Sequence, residues 1–146
     1  MEILSILKID NKDLEIIKPL LNDKDININY QDDNNDTALH ILYRQFIKLV
    51  NNFTNNKNNT NEITILQYMD DFTYYLNIYY LIVKRNDLNV SLRNNDGVTV
   101  IKLFDELRQI SVSSFLNINV NNITNKNVIL EKIKKLKILF TLISLC

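Results

Sequence analysis

Asn29-Tyr-Gln-Asp-Asp-Asn-Asn-Asp-Thr-Ala-Leu-His40 is a run of turn-forming residues that opens straight into an apolar helical pattern. A weakened copy lies at Val90-Ser-Leu-Arg-Asn-Asn-Asp-Gly-Val-Thr-Val-Ile101. Asn, Asp and Gly are the residues that tolerate tight turns and left-handed backbone, and a threonine just before an apolar run is a helix-capping signal. Each copy follows one apolar helical run and starts another. The chain therefore reads as an internally repeated, all-α molecule built from helix, polar turn, helix.

Outward from the first copy, the periodicity predicts two short helices over residues 1–22. Ile3, Leu4 and Leu7 supply the first apolar patch, and Asp10 or Asn11 is placed to cap the second. In that second helix Leu14, Ile17 and Leu21 share a face, with Ile16 and Leu20 alongside and Pro19 as an awkward interior residue. Residues 37–50 follow as a helix whose stripe is Leu39, Leu42, Phe46 and Val50, widened by Tyr43 and Ile47. The low-complexity segment Asn51-Asn-Phe-Thr-Asn-Asn-Lys-Asn-Asn-Thr-Asn61 is expected to be an exposed loop. Apolar residues return from about Ile63 to Lys84, including Leu66, Met69, Phe72, Leu76, Tyr80 and Val83. Residues 99–109 then form a helix, 111–125 a second polar loop, and 126–145 a last helix using Ile129, Ile133, Leu136, Phe140 and Ile143.

The stretch 16–42 resembles the ankyrin repeat, whose D-x-x-G-x-T-P-L-H segment joins a β-turn finger to a pair of helices. The residues that carry the likeness are Ile16, Ile17, Leu20, Leu21, Ile28, Asn29, Asp32, Thr37, Leu39 and His40. A second, weaker block rests on Asp96-Gly97-Val98-Thr99. Asp25-Ile-Asn-Ile-Asn29 is similar to the family's G-A-D-V-N turn, with aspartate for glycine. Gly97 is the only glycine, so Asn35 is expected to take the left-handed position in the first finger. The second finger departs from the pattern: Asn94 replaces the aspartate, Lys102 the histidine, and Asp105 stands where the family prefers alanine.

The resemblance implies an ankyrin-type helical-hairpin solenoid of about three irregular repeats, with approximate units 1–33, 34–95 and 96–146 in a single domain. Thr37 and Thr99 are 62 residues apart, against a family period of about 33. Either one unit carries an expanded loop at 51–62 or a degenerate extra helix lies within 63–71, and a second loop at 111–125 favours the first. It also implies structural roles for Asp32, Thr37, Leu39, His40, Gly97 and Thr99. Partner contacts are implied at the finger tips and first-helix face, here Asp33, Asn34, Ile41, Arg44, Gln45, Asn95, Asp96, Leu103 and Glu106. Arg44 is the expected hot spot, contributing to binding and not to folding. Short irregular members of this kind resemble those of large DNA viruses and AT-rich microbes, and the Asn, Ile and Lys bias points the same way.

Chemistry is largely excluded by counting. One glycine rules out a phosphate-binding loop or dinucleotide fingerprint, and no nucleophile elbow is present. His40 is the only histidine and Cys146 the only cysteine, so neither a Cys–His pair nor a zinc site is expected. Asp32, Asn34 and Asp36 mimic the start of a calcium loop, but Thr37 and Tyr43 occupy its strictest positions. Asp70-Asp71 and Asp105-Glu106 read as solvated helix faces. Seventeen basic and seventeen acidic side chains cancel, which argues against a nucleic-acid partner. Without a basic leader or a span of roughly 20 apolar residues, the chain reads as intracellular, in the cytoplasm.

The expected function is a non-enzymatic scaffold that binds another protein, with no metal, cofactor or small-molecule substrate. The first alternative is a peripheral membrane adaptor using the basic helix that carries Lys126, Lys132, Lys134, Lys135 and Lys137. The second is a terminal piece of a longer array. Tyr68, Tyr74, Tyr75, Tyr79 and Tyr80 crowd one helical region; packing between units is expected to absorb most of them.

Overall fold

A computed structural model of the chain describes Leu4, residues 14–56 and 62–115, and a few positions between 127 and 135. Among the described residues the four helices with defined bounds run in order: α1 (Leu14–Asn22), α2 (Ala38–Asn56), α3 (Glu62–Val83) and α4 (Val100–Phe115). The described residues contain no strand, only an isolated antiparallel bridge between Arg93 and Thr99 at the base of the second turn. The protein is all-α.

Three helix pairs are in contact: α2 with α3, α1 with α3, and α2 with α4. The long α2–α3 hairpin is therefore central, with α1 alongside α3 and α4 alongside α2. Each side of the hairpin gains an apolar neighbour. Ile17 and Leu21 of α1 are buried, as are Leu39, Leu42, Phe46, Val50 and Phe53 of α2. On α3, Met69, Phe72, Leu76, Tyr79 and Ile82 are almost fully enclosed, and Val100, Phe104 and Leu107 complete the core from α4. Phe104 is the aromatic junction, with its ring 4.8 Å from Tyr79, 6.0 Å from Phe46 and 6.1 Å from Tyr43. Such offset and edge-on pairs add to the burial of the rings themselves.

The 62-residue step has a different origin from the expected one. The expanded loop over 51–62 is not what lengthens the unit, because α2 continues through Asn56 and α3 begins at Glu62. The physical reason is Phe53, which extends the Phe46, Leu49, Val50 stripe by one more step and is 1% exposed. Its ring lies edge-on to Tyr68 at 5.3 Å. A single buried aromatic thus anchors the asparagine-rich end of α2. Residues 62–83 form one helix, so no extra unit lies within 63–71. Likewise α4 runs to Phe115, past the expected end at 109, since nothing between Val100 and Phe115 is a glycine or proline. The loop expected over 111–125 therefore loses its first five residues to the helix.

Pro19 is tolerated inside α1, where it is exposed and only one turn remains after it. Of the tyrosine cluster, Tyr75 and Tyr79 belong to the core, while Tyr68, Tyr74 and Tyr80 are half-buried. The first short helix apart from Leu4, the segment 57–61, the remainder of the second polar loop and most of the last helix lie outside the described residues. So do Asp10, Asn11 and Cys146. Within the last stretch Lys132 meets Asp70 of α3 at 2.8 Å, a pair whose partial exposure makes it worth little. No helix among the described residues is long and apolar enough to cross a membrane.

Phe53→Ala should lower the unfolding free energy by about 3 kcal/mol or more. Hydrogen exchange should show the end of α2 losing protection first, while the amides of α4 keep theirs.

Candidate interaction surface

The two polar turns are built from the same bonds, 62 residues apart. In the first, Asp32 Oδ1 accepts the N–H groups of Asn34 (2.9 Å) and Asp36 (3.0 Å), and Asn35 N–H donates to Asp32 C=O at 2.8 Å. In the second, Asn94 Oδ1 accepts from Asp96 and Val98 at 3.1 Å each, and Gly97 N–H donates to Asn94 C=O at 2.9 Å. Asn35 and Gly97 hold the left-handed position, with φ of 57° and 72°. Asparagine is among the few residues with a Cβ that sit there readily. Thr37 and Thr99 stand at the starts of α2 and α4, and each carbonyl accepts the first helical bond.

The turns lie side by side and are bonded to one another. Asn95 N–H donates to Asn34 C=O at 2.9 Å, and Asn35 Nδ2 donates to Asn95 Oδ1 at 2.7 Å. Gln31 Nε2 reaches both Asn35 C=O (2.8 Å) and Arg93 C=O (3.0 Å). Beneath them is His40, fully buried. Its Nδ1 accepts the Thr37 N–H at 3.1 Å and lies 2.9 Å from the Thr37 hydroxyl. Because Nδ1 must accept, the ring proton sits on Nε2, which donates to Val98 C=O at 2.9 Å. The Thr37 hydroxyl thus serves the imidazole, whereas the Thr99 hydroxyl meets a helix N–H, that of Lys102, at 3.5 Å.

Asp36, 1% exposed, enters the sequence reading only through the calcium-loop likeness. Its carboxylate takes both ends of the Arg44 guanidinium and also lies 3.3 Å from Asn94 Nδ2. Arg44 is held above its ordinary pKa chiefly by that hydrogen bond. The expected hot spot is therefore engaged in the scaffold. Asn94 is not a decayed aspartate either: its carbonyl oxygen organises its own turn, and its amide faces a buried carboxylate. An aspartate there would set two like charges together.

The second unanticipated residue is Arg85. It spends all five N–H groups: on Asp87 twice (2.9 and 2.7 Å), on Leu21 C=O and Asp23 C=O (3.1 Å each), and on Ile26 C=O (2.8 Å). It thereby closes the C-terminal end of α1 with a side chain from the end of α3. The bond from Arg85 holds the Asp87 carboxyl below its usual range. A cavity of about 530 Å³ lies beside this clasp, lined by Leu21, Asn22, Lys24, Lys84, Asn86 and Asp87 as well as Arg85. An arginine two residues past the end of an apolar helix and two before an aspartate was the available signal. Its partners in the first loop were not legible.

The expected contact residues divide by exposure. Asp33, Asn34, Asn95 and Asp96 are exposed together along the tips, and Glu106 is exposed on α4. Leu103 and Gln45 are half-buried, Gln45 lining a cavity of about 200 Å³ with Lys48, Leu49, Asn52, Tyr68, Asp71 and Tyr75. Ile41 is not available: at 3% exposure it is core, because the position after the bridging histidine turns inward. Leu39, 2% exposed, is also core. The calcium-loop likeness has no counterpart in geometry, since Asp32 is turned to backbone N–H groups and Asp36 to Arg44. Among the described residues no three His, Cys, Asp or Glu side chains are grouped to hold a metal. No buried side-chain nitrogen or oxygen among them lacks a partner.

No protein-family model matches the chain, and neither a curated protein nor a solved structure matches it.

Arg44→Ala should lower the unfolding free energy by about 1 kcal/mol, at the low end for a charged hydrogen bond because the arginine is half-exposed. Urea denaturation of the variant measures it; an unchanged midpoint returns Arg44 to the set of free contact residues. Arg85→Met should cost more, about 2–3 kcal/mol, since three carbonyls lose their donor. Asp87 contributes stability above the ordinary carboxylate pKa of about 4, and loses it as pH falls through its lowered folded value. Asp87→Asn should therefore flatten the acid limb of a stability–pH curve without reversing it.

Proposed function

We propose that the chain is a small, degenerate ankyrin-repeat protein that works without catalysis, by binding another protein along the edge formed by its two turns. The observation that carries this reading is the pair of mutually bonded turns. Their backbones are fixed by Asp32, Asn94, Asn35, Gly97 and His40, while the side chains of Asp33, Asn34 and Asp96 project from them with no hydrogen bond among the described residues. A rigid frame that leaves polar side chains unoccupied is suited to recognition, because little order remains to be lost on binding. The side-by-side pairing of α1 with α3 and of α2 with α4 supports a stacked-hairpin reading of the same residues. The ankyrin likeness of residues 16–42 adds the family's use of finger tips and first-helix faces. The working contact set becomes Asp33, Asn34, Asn95, Asp96, Gln45, Leu103 and Glu106. Ile41 and Arg44 move to the support. We place the protein in the cytoplasm on the same reading.

Alanine at Asp33, Asn34 and Asp96 together should leave the melting temperature nearly unchanged, as surface substitutions away from bonds do. Affinity capture from the native cell should lose the partner at least about tenfold relative to the parent. If capture is untouched by this variant and also by Leu103→Ser with Glu106→Lys, neither surface binds and the proposal fails.

A further inference from the structure

The loop leading into the second turn presents four main-chain groups to the first unit, and every one is bonded. Asp87 C=O accepts from Asn29 Nδ2 at 2.7 Å, and Asn89 N–H donates to Asn29 Oδ1 at 2.7 Å. Arg93 C=O accepts from Gln31 Nε2 at 3.0 Å, and Asn95 N–H donates to Asn34 C=O at 2.9 Å. Three residues of the first unit, Asn29, Gln31 and Asn34, thus read one edge of the second.

The first loop repeats that edge. Its local bonds match step for step: Asp23 N–H to Leu20 C=O against Arg85 to Ile82, Ile26 to Asp23 against Leu88 to Arg85. The side-chain turns also match, Asn29 N–H to Asn27 Oδ1 against Ser91 to Asn89, at 3.0 Å each. The groups 62 residues before the four bonded ones are Asp25 C=O, Asn27 N–H, Gln31 C=O and Asp33 N–H. Among the described residues none of these four has a partner. Asp25, Asn27 and Asp33 are exposed.

We propose that this leading edge of the first loop and turn is a main-chain docking edge for a segment of a partner polypeptide that carries the same turn. The segment's chemistry follows from what fills the equivalent edge: an asparagine amide for Asp25 C=O and Asn27 N–H, a glutamine amide two residues later for Gln31 C=O, and a backbone carbonyl three residues beyond that for Asp33 N–H. The proposal rests on the reading of the turns as an interaction surface and deepens it, from side chains at the tips to backbone beside them. A second full copy is a poorer occupant. Placing its first turn on this edge would bring its α2–α3 hairpin to where α1 already stands.

The test uses a capped synthetic peptide of the chain's own residues 28–36, which carries Asn29, Gln31 and Asn34 in the required spacing, at physiological salt. Titrated at millimolar concentration into isotopically labelled full-length protein, it should shift the amide signals of Asn27 and Asp33 saturably. Asp33→Pro removes the N–H at the second position of the turn spanning 32–35, where proline is favoured, and should weaken binding about tenfold. Asp33→Ala keeps the N–H and should still give the saturable shift at Asn27, so that the difference between the two variants reports the backbone group. A peptide with alanine in place of Asn29 and Gln31 should not bind, and it tests the idea without altering the protein. Absence of a saturable shift, equal binding by Asp33→Pro, or equal binding by the alanine peptide overturns the proposal. Shifts at the same amides that grow with protein concentration alone assign the edge to a second copy and overturn it too. Loss of partner capture in the tip-side-chain variant is a separate result: Asp33→Ala tests the carboxylate, Asp33→Pro the backbone.

Discussion

His40 has two ring nitrogens and the fold uses both. Once Nδ1 accepts the N–H of Thr37, the proton belongs to Nε2, and Nε2 donates it to the carbonyl of Val98. One imidazole therefore ties the start of α2 to the second turn. A buried donor or acceptor left without a partner costs about 1–3 kcal/mol, so the two turns cannot slide past one another by a residue. Apolar packing between α2 and α4 supplies attraction, but it is non-directional and does not choose a register. The choice is made by polar groups at two points, His40 under the turns and Arg85 at the end of α1. The bonds between Asn34 and Asn95, and between Asp36 and Asn94, follow from the spacing that these two set.

The two turns differ in a way that depends on which side faces protein. Across the contact between them the bridging groups are neutral amides and a neutral imidazole: Gln31, Asn35, Asn94 and His40. At the positions equivalent to Gln31 and His40, the second turn and α4 carry Arg93 and Lys102, both exposed. A charge buried between turns would have to be paired, as Asp36 is by Arg44. A charge on the outer side needs only water. Two departures of the second copy from the first, Arg93 and Lys102, are thus charges that meet water. Arg93 still makes the equivalent of Gln31's local bond, to Gly97 C=O at 2.6 Å.

Much of the frame was legible because it is written in local chemistry. Turn formers, a capping threonine and a helical stripe lie within a dozen residues of one another, and Asn35 in the left-handed region follows from the lack of a glycine there. Helix ends were less legible. An asparagine-rich run looks like a loop unless one buried side chain anchors it, and Phe53 counts only when Tyr68 is known to be opposite. Burial of Ile41 and the engagement of Arg44 also depend on neighbours far along the chain. So does the role of Arg85, whose acceptors are carbonyls some sixty residues away and carry no side-chain signature. Among the contact residues the tips are exposed, since turn tips project by construction.

The use of asparagine for glycine explains one remaining asymmetry. A residue at φ near 60° is strained if it has a Cβ, and glycine avoids that strain. In the second turn glycine is used, and the space where its side chain would lie is empty. In the first turn the same position is next to another turn, and there a side chain has something to reach. Asn35 Nδ2 bonds to Asn95 Oδ1 across the junction, which glycine could not do. The modest conformational penalty of asparagine is offset by a contact between turns, and so asparagine sits where a second turn is bonded to the first.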